Sequence, residues 1–60
     1  MSVFEFALEL EQEHYDFYLS EANIAEDERL KKVFMELADE EKKHKEIVKK
    51  LAEDKEIGTI

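Results

Sequence analysis

Sixty residues carrying 17 acidic and 9 basic side chains have a formal net charge of −8, which makes nucleic acid and anionic membrane poor partners. The chain has no Cys, so neither disulfides nor a thiolate metal site can compensate for the small core that this length allows. No run of about 20 uncharged residues exists, and the start Met1-Ser2-Val3-Phe4-Glu5 lacks the basic and apolar regions of a secretion signal; a soluble, cytoplasmic protein is expected.

With no Pro, and a single Gly at position 58, nothing before the C-terminus is obliged to break a helix. Ser2 followed by Glu5 has the spacing of a capping box and opens helix 1 over about residues 3–25. A turn is expected at about 26–27, with Asp27 as the N-cap of helix 2 and Glu28 favourably placed in its first turn. Helix 2 should run over about 28–55 and stop before Gly58. The whole of 1–60 reads as one antiparallel helical hairpin.

In helix 1 the apolar residues Phe4, Leu8, Tyr15, Tyr18, Ala22 and Ala25 recur at three and four residues, and the series is interrupted at Glu11. In helix 2 the series Leu30, Phe34, Leu37, Val48 and Leu51 is interrupted at Glu41 and His44. Val3, Leu10, Phe17, Ile24, Val33, Ala38, Ile47 and Ala52 widen both stripes beyond what a two-helix contact needs. That width predicts an all-α four-helix bundle, completed by a homodimer or by a second hairpin.

A carboxylate on a buried seam loses several kcal/mol of hydration unless it is paired, so the three interruptions should compensate one another. Glu11 lies 16 residues before Asp27, and Glu41 and His44 lie 14 and 17 after it. At ~1.5 Å per residue all three stand roughly 21–26 Å from the turn. Glu41 and His44 form an E-x-x-H pair whose side chains share one side of a helix. Carboxylate oxygen and imidazole nitrogen suit iron or manganese, and a two-fold copy would assemble four Glu and two His around two divalent cations.

The segments Ala7–Tyr18, ALELEQEHYDFY, and Leu30–His44, LKKVFMELADEEKKH, resemble the rubrerythrin branch of the ferritin-like family, over nearly the whole chain. The resemblance implies a terminal metal ligand at Glu11, a bridging carboxylate at Glu41, a terminal imidazole at His44, and two Fe per dimer, with Mn as the alternative metal. It assigns Tyr18 the place of an aromatic whose hydroxyl reaches a ligand carboxylate; ordinary core packing is the other reading of that residue. The implied chemistry is oxidation of Fe(II) by hydrogen peroxide or oxygen, of peroxidase or ferroxidase type. Family members usually carry four helices in one chain, so this sequence matches their first half. It has no C-x-x-C pair for a rubredoxin-type iron centre, so the electron donor would be a separate molecule.

Glu11 and His14 make a second E-x-x-H, on helix 1. In rubrerythrins an extra carboxylate stands a turn after the terminal Glu, and His14 occupies that spot here. It could be a substitute ligand, a hydrogen-bond partner or a proton donor to bound peroxide. The competing reading of the whole chain is a non-catalytic dimerisation module whose polar seam residues fix register.

Overall fold

The computed structural model describes residues 2–58, with side chains described through residue 54. Helix α1 (Val3–Ile24) and helix α2 (Glu28–Gly58) pack side by side as a hairpin. Its first end is set by Ser2, whose extended backbone turns its hydroxyl oxygen to accept the Glu5 N–H at 3.1 Å. Of the reciprocal capping box, the described hydrogen bonds contain this Ser2 half. At the other end Ala25 leaves the helix in an extended conformation while its N–H still donates to the Glu21 carbonyl. Asp27 then starts α2, its Oδ1 accepting from the N–H groups of Arg29 (2.8 Å) and Leu30 (3.2 Å). Those two bonds, followed by the Arg29 guanidinium, hold the Asp27 carboxyl below its ordinary range.

The second helix does not stop near residue 55 but continues to Gly58. A terminating glycine acts by entering the left-handed region, and no glycine among the described residues has positive φ. Without that stop, the helix-favouring residues before Gly58 simply extend the ladder.

On α1 the inner face is the expected one, with Phe4, Leu8, Tyr15, Tyr18 and Ala25 half-buried, Ala22 sealed and Glu11 in the interruption. On α2 the expected seam is displaced. The residues turned inward are Phe34, Ala38, Glu41, Lys45, Val48 and Ala52, whereas Leu30, Leu37 and Leu51 are exposed. Both series obey the same three-and-four spacing, so periodicity alone fits either one. Side-chain size separates them. The inner face of α1 already carries the rings of Phe4, Tyr15 and Tyr18, and alanines on α2 leave those rings room that leucines would fill. Tyr18 stacks on Phe34 with ring centroids 6.4 Å apart and meets Phe17 edge-on at 5.7 Å.

The hairpin measures 51 × 18 × 9 Å, so it is one helix thick and has no second layer to cover its outer apolar residues. Val3, Phe6, Phe17 and Ile24 on α1 are exposed, as are Leu30, Val33, Leu37, Ile47 and Leu51 on α2. Spaced by three, four, seven, ten or eleven, each a near-whole number of helical turns, these residues form a second stripe on each helix, offset from the inner seam in the same rotational sense. In two helices running oppositely, that offset brings both stripes to the same side of the hairpin.

Candidate metal centre

The inner faces of α1 and α2 place Glu11 opposite Glu41 in the middle of the hairpin. Their side chains are 21% and 13% exposed, well buried for carboxylates in a structure only one helix thick. One oxygen of each, Glu11 Oε2 and Glu41 Oε2, is fully buried and receives no hydrogen bond. Two buried acceptors without a donor are costly, and both are acceptor-only when ionised.

Both histidines converge on these oxygens. The His44 Nδ1 atom lies 3.4 Å from Glu11 Oε2 and 3.8 Å from Glu41 Oε2, and His14 Nδ1 lies 3.6 Å from Glu41 Oε2. Two of these contacts cross between helices, His14 of α1 approaching the carboxylate of α2 and His44 of α2 that of α1, while the 3.8 Å contact of His44 to Glu41 stays within α2. All three distances exceed a hydrogen bond from nitrogen to oxygen. Each imidazole is about half exposed, 51% for His14 and 49% for His44, on the side of the hairpin that carries the apolar stripes.

Glu41 is raised above its ordinary range, first by side-chain hydrogen bonding with Glu11, then by burial, then by repulsion from the Glu11 charge. The charges of His14 and His44 act in the opposite direction.

The residues singled out in the sequence thus fall into three groups. Glu11, Glu41 and His44 are brought together. His14 joins them, and Glu11, His14 and Glu41 offer ligand atoms that all lie within 4.8 Å of one another. The ring of Tyr18 packs between Phe17 and Phe34, and among the described residues its hydroxyl makes no hydrogen bond with either carboxylate. Sequence reasoning passed over Lys45, which sits on the inner face one turn beyond Glu41 and donates from its ammonium to the side-chain oxygen of Gln12. Its position a turn after Glu41 was the available signal, hidden because the seam of α2 was read through His44.

This donor set fits a divalent transition metal. The orphaned oxygens are hard anionic ligands, the imidazoles are borderline ones, and iron or manganese accepts both. Two carboxylates also balance one divalent charge per hairpin. Glu11, Glu41 and His44 would hold the metal, which would remove the unsatisfied acceptors and the repulsion together.

The family comparison points the same way. The model of the rubrerythrin family matches residues 2–60, and no curated protein or solved structure matches the chain. None of the helices among the described residues is long and apolar enough to cross a membrane. With a match spanning all but the first residue, the chain belongs to the rubrerythrin family of ferritin-like di-iron proteins.

Proposed function

We propose that two copies of this hairpin pack their outer apolar faces together and share a di-iron centre that oxidises Fe(II) with hydrogen peroxide or oxygen. The observation that carries this reading is the pair of buried, hydrogen-bond-free carboxylate oxygens at Glu11 and Glu41, flanked by two imidazoles on the uncovered side. A second copy is the favoured occupant because the site is incomplete alone: a two-fold mate doubles two carboxylates to four, enough to balance two divalent cations. Area supports the same occupant. The hairpin exposes 4961 Å², about 900 Å² more than the ~4,100 Å² of a compact monomer of 7.1 kDa. A standard interface takes about 800 Å² from each partner.

Each chain then contributes Glu11 and His44 as terminal groups and Glu41 as a carboxylate able to serve two metals. Iron held there would supply one-electron exchange between Fe(II) and Fe(III), two such exchanges matching the two electrons that reduction of hydrogen peroxide to two waters consumes together with two protons. The anionic carboxylates favour the more highly charged oxidation state, and the closed apolar faces limit water around them. Re-reduction requires an external donor. The proposed setting is the cytoplasm, where hydrogen peroxide and oxygen are small enough to enter between helices.

The test combines elemental analysis, sedimentation and a stopped-flow measurement of Fe(II) oxidation by hydrogen peroxide. The wild-type protein should sediment as a dimer, hold two iron ions per dimer and oxidise Fe(II) with peroxide faster than Glu41→Ala, which should lose both metals. A dimer that binds no iron and leaves Fe(II) oxidation at the rate in buffer would support the non-catalytic dimerisation module instead. Two tightly held metals in the Glu41→Ala dimer would remove Glu41 from the bridging role.

A further inference from the structure

We infer that His14 is itself a metal ligand, so that each hairpin offers four protein donors, Glu11, His14, Glu41 and His44, from two crossed Glu-x-x-His pairs. The inference rests on the metal-binding reading above and enlarges its ligand set.

Position comes first. His14 stands three residues after Glu11, on the edge of α1 between the inner seam and the outer apolar stripe, with Leu10 and Phe17 a turn away on either side. From that edge its Nδ1 reaches across to Glu41 Oε2 at 3.6 Å. The oxygen it approaches receives no hydrogen bond, and the separation is too long for the imidazole to supply one. A ring that served only to satisfy Glu41 would close that gap. A cation between them satisfies nitrogen lone pair and carboxylate oxygen together, since bonds of about 2.0–2.2 Å hold two donors roughly 3–4 Å apart. The Glu11, His14 and Glu41 ligand atoms, all within 4.8 Å of one another, need only side-chain adjustment to meet that requirement.

His44 approaches the same pair of carboxylates from α2, at 3.4 Å from Glu11 across the hairpin and 3.8 Å from Glu41 on its own helix. The two imidazoles are therefore alike in that each stands three residues after a buried Glu and each reaches the carboxylate of the opposite helix. If His44 is a ligand on these grounds, the same grounds apply to His14. A neutral imidazole adds a donor without adding charge, so the balance of two carboxylates per divalent cation is unchanged. What changes is softness: two imidazoles per metal favour Fe(II) or Zn(II) over Mn(II) more strongly than one does. When the outer faces are covered, His14 lies under apolar residues of the mate, where an unliganded polar ring would have few partners.

The chain has two histidines in all, which makes the test direct. Protein labelled with ¹⁵N at histidine gives one imidazole spin system per residue, assigned by His14→Ala, and Zn(II) serves as the diamagnetic probe. The expected result is that one ring nitrogen of each histidine shifts to the metal-bound position at one Zn(II) per chain. His14→Ala should weaken Zn(II) at least about tenfold by calorimetric competition. The His14→Glu variant, which returns a ligand at the same place, should regain most of that affinity, with helical circular dichroism confirming that both variants fold. A shift at His44 alone, with His14 unmoved at saturation, overturns the inference and leaves the proposed function standing. Absence of saturable binding in the wild-type protein overturns both.

Discussion

In the metal-free protein, raising the pH should destabilise the fold through one identifiable carboxyl group. Glu41 is held above its ordinary value of 4.5 by side-chain hydrogen bonding with Glu11, burial and repulsion. The folded state therefore binds more protons than the unfolded chain. The associated stability is fully present below about pH 4.5 and is lost as the pH rises through the higher folded value. Its size follows from geometry. Ligand oxygens of Glu11 and Glu41 lie within 4.8 Å of one another, and two full charges at that distance repel by about 3.5 kcal/mol at an effective dielectric of ~20. The opposing effect of His14 and His44 and solvent reduce this, so a loss of roughly 1–3 kcal/mol per chain is expected as the pH rises above about 4.5. For a domain of this size each kcal/mol moves the melting temperature by about 4–8 °C. The general charge of −8 per chain acts in the same direction and must be separated. Melting curves at several pH values for apo wild type and apo Glu41→Gln do so, because most of the general charge survives in the variant while the paired carboxylates do not. Wild type should lose at least about 5 °C more than the variant over this range, and Mn(II) or Fe(II) should restore it most at the higher pH, where the ligands are already deprotonated. Parallel pH profiles in the two proteins, indifferent to added metal, would refute the reasoning.

Three further outcomes follow from the packing. Phe17→Lys puts a charge on an outer face where Phe17 is 56% exposed in the single hairpin; sedimentation should show the affinity of the proposed dimer weakened by about 30-fold or more, roughly 2 kcal/mol, with little loss of secondary structure at high concentration. Ala38→Leu adds bulk where exposure is 2% and should destabilise by about 1–3 kcal/mol in urea unfolding, whereas Leu37→Ala, one position away, should act on association instead. Tyr18→Phe keeps the ring packed between Phe17 and Phe34 and removes the hydroxyl; melting temperature and iron content should stay unchanged, and a slower peroxide reaction alone would give that hydroxyl a part in the chemistry.

Much of this was legible in the sequence because it depends on spacing along one helix. Ser2 with Glu5, Asp27 before Arg29, and the lack of Pro define where helices begin, since caps act within a turn. The three polar interruptions Glu11, Glu41 and His44 stood at one height because counting residues from a turn measures distance along a helix. Counting does not fix rotation about the helix axis to within a residue. Leu30, Leu37 and Leu51 form as good a seam as Phe34, Ala38 and Ala52, and the rings on α1 decided which series turned inward. That rotation brought Lys45 to the inner face beside Gln12 and left the larger apolar residues outside. It also settled the surroundings of His14, whose three readings in the sequence differ only in what lies across from its ring. The three-residue step from Glu11 to His14 is legible along one helix; only the packed pair of helices put a buried, unpartnered oxygen of Glu41 in front of it, because a contact between helices depends on their relative rotation and not on either pattern alone.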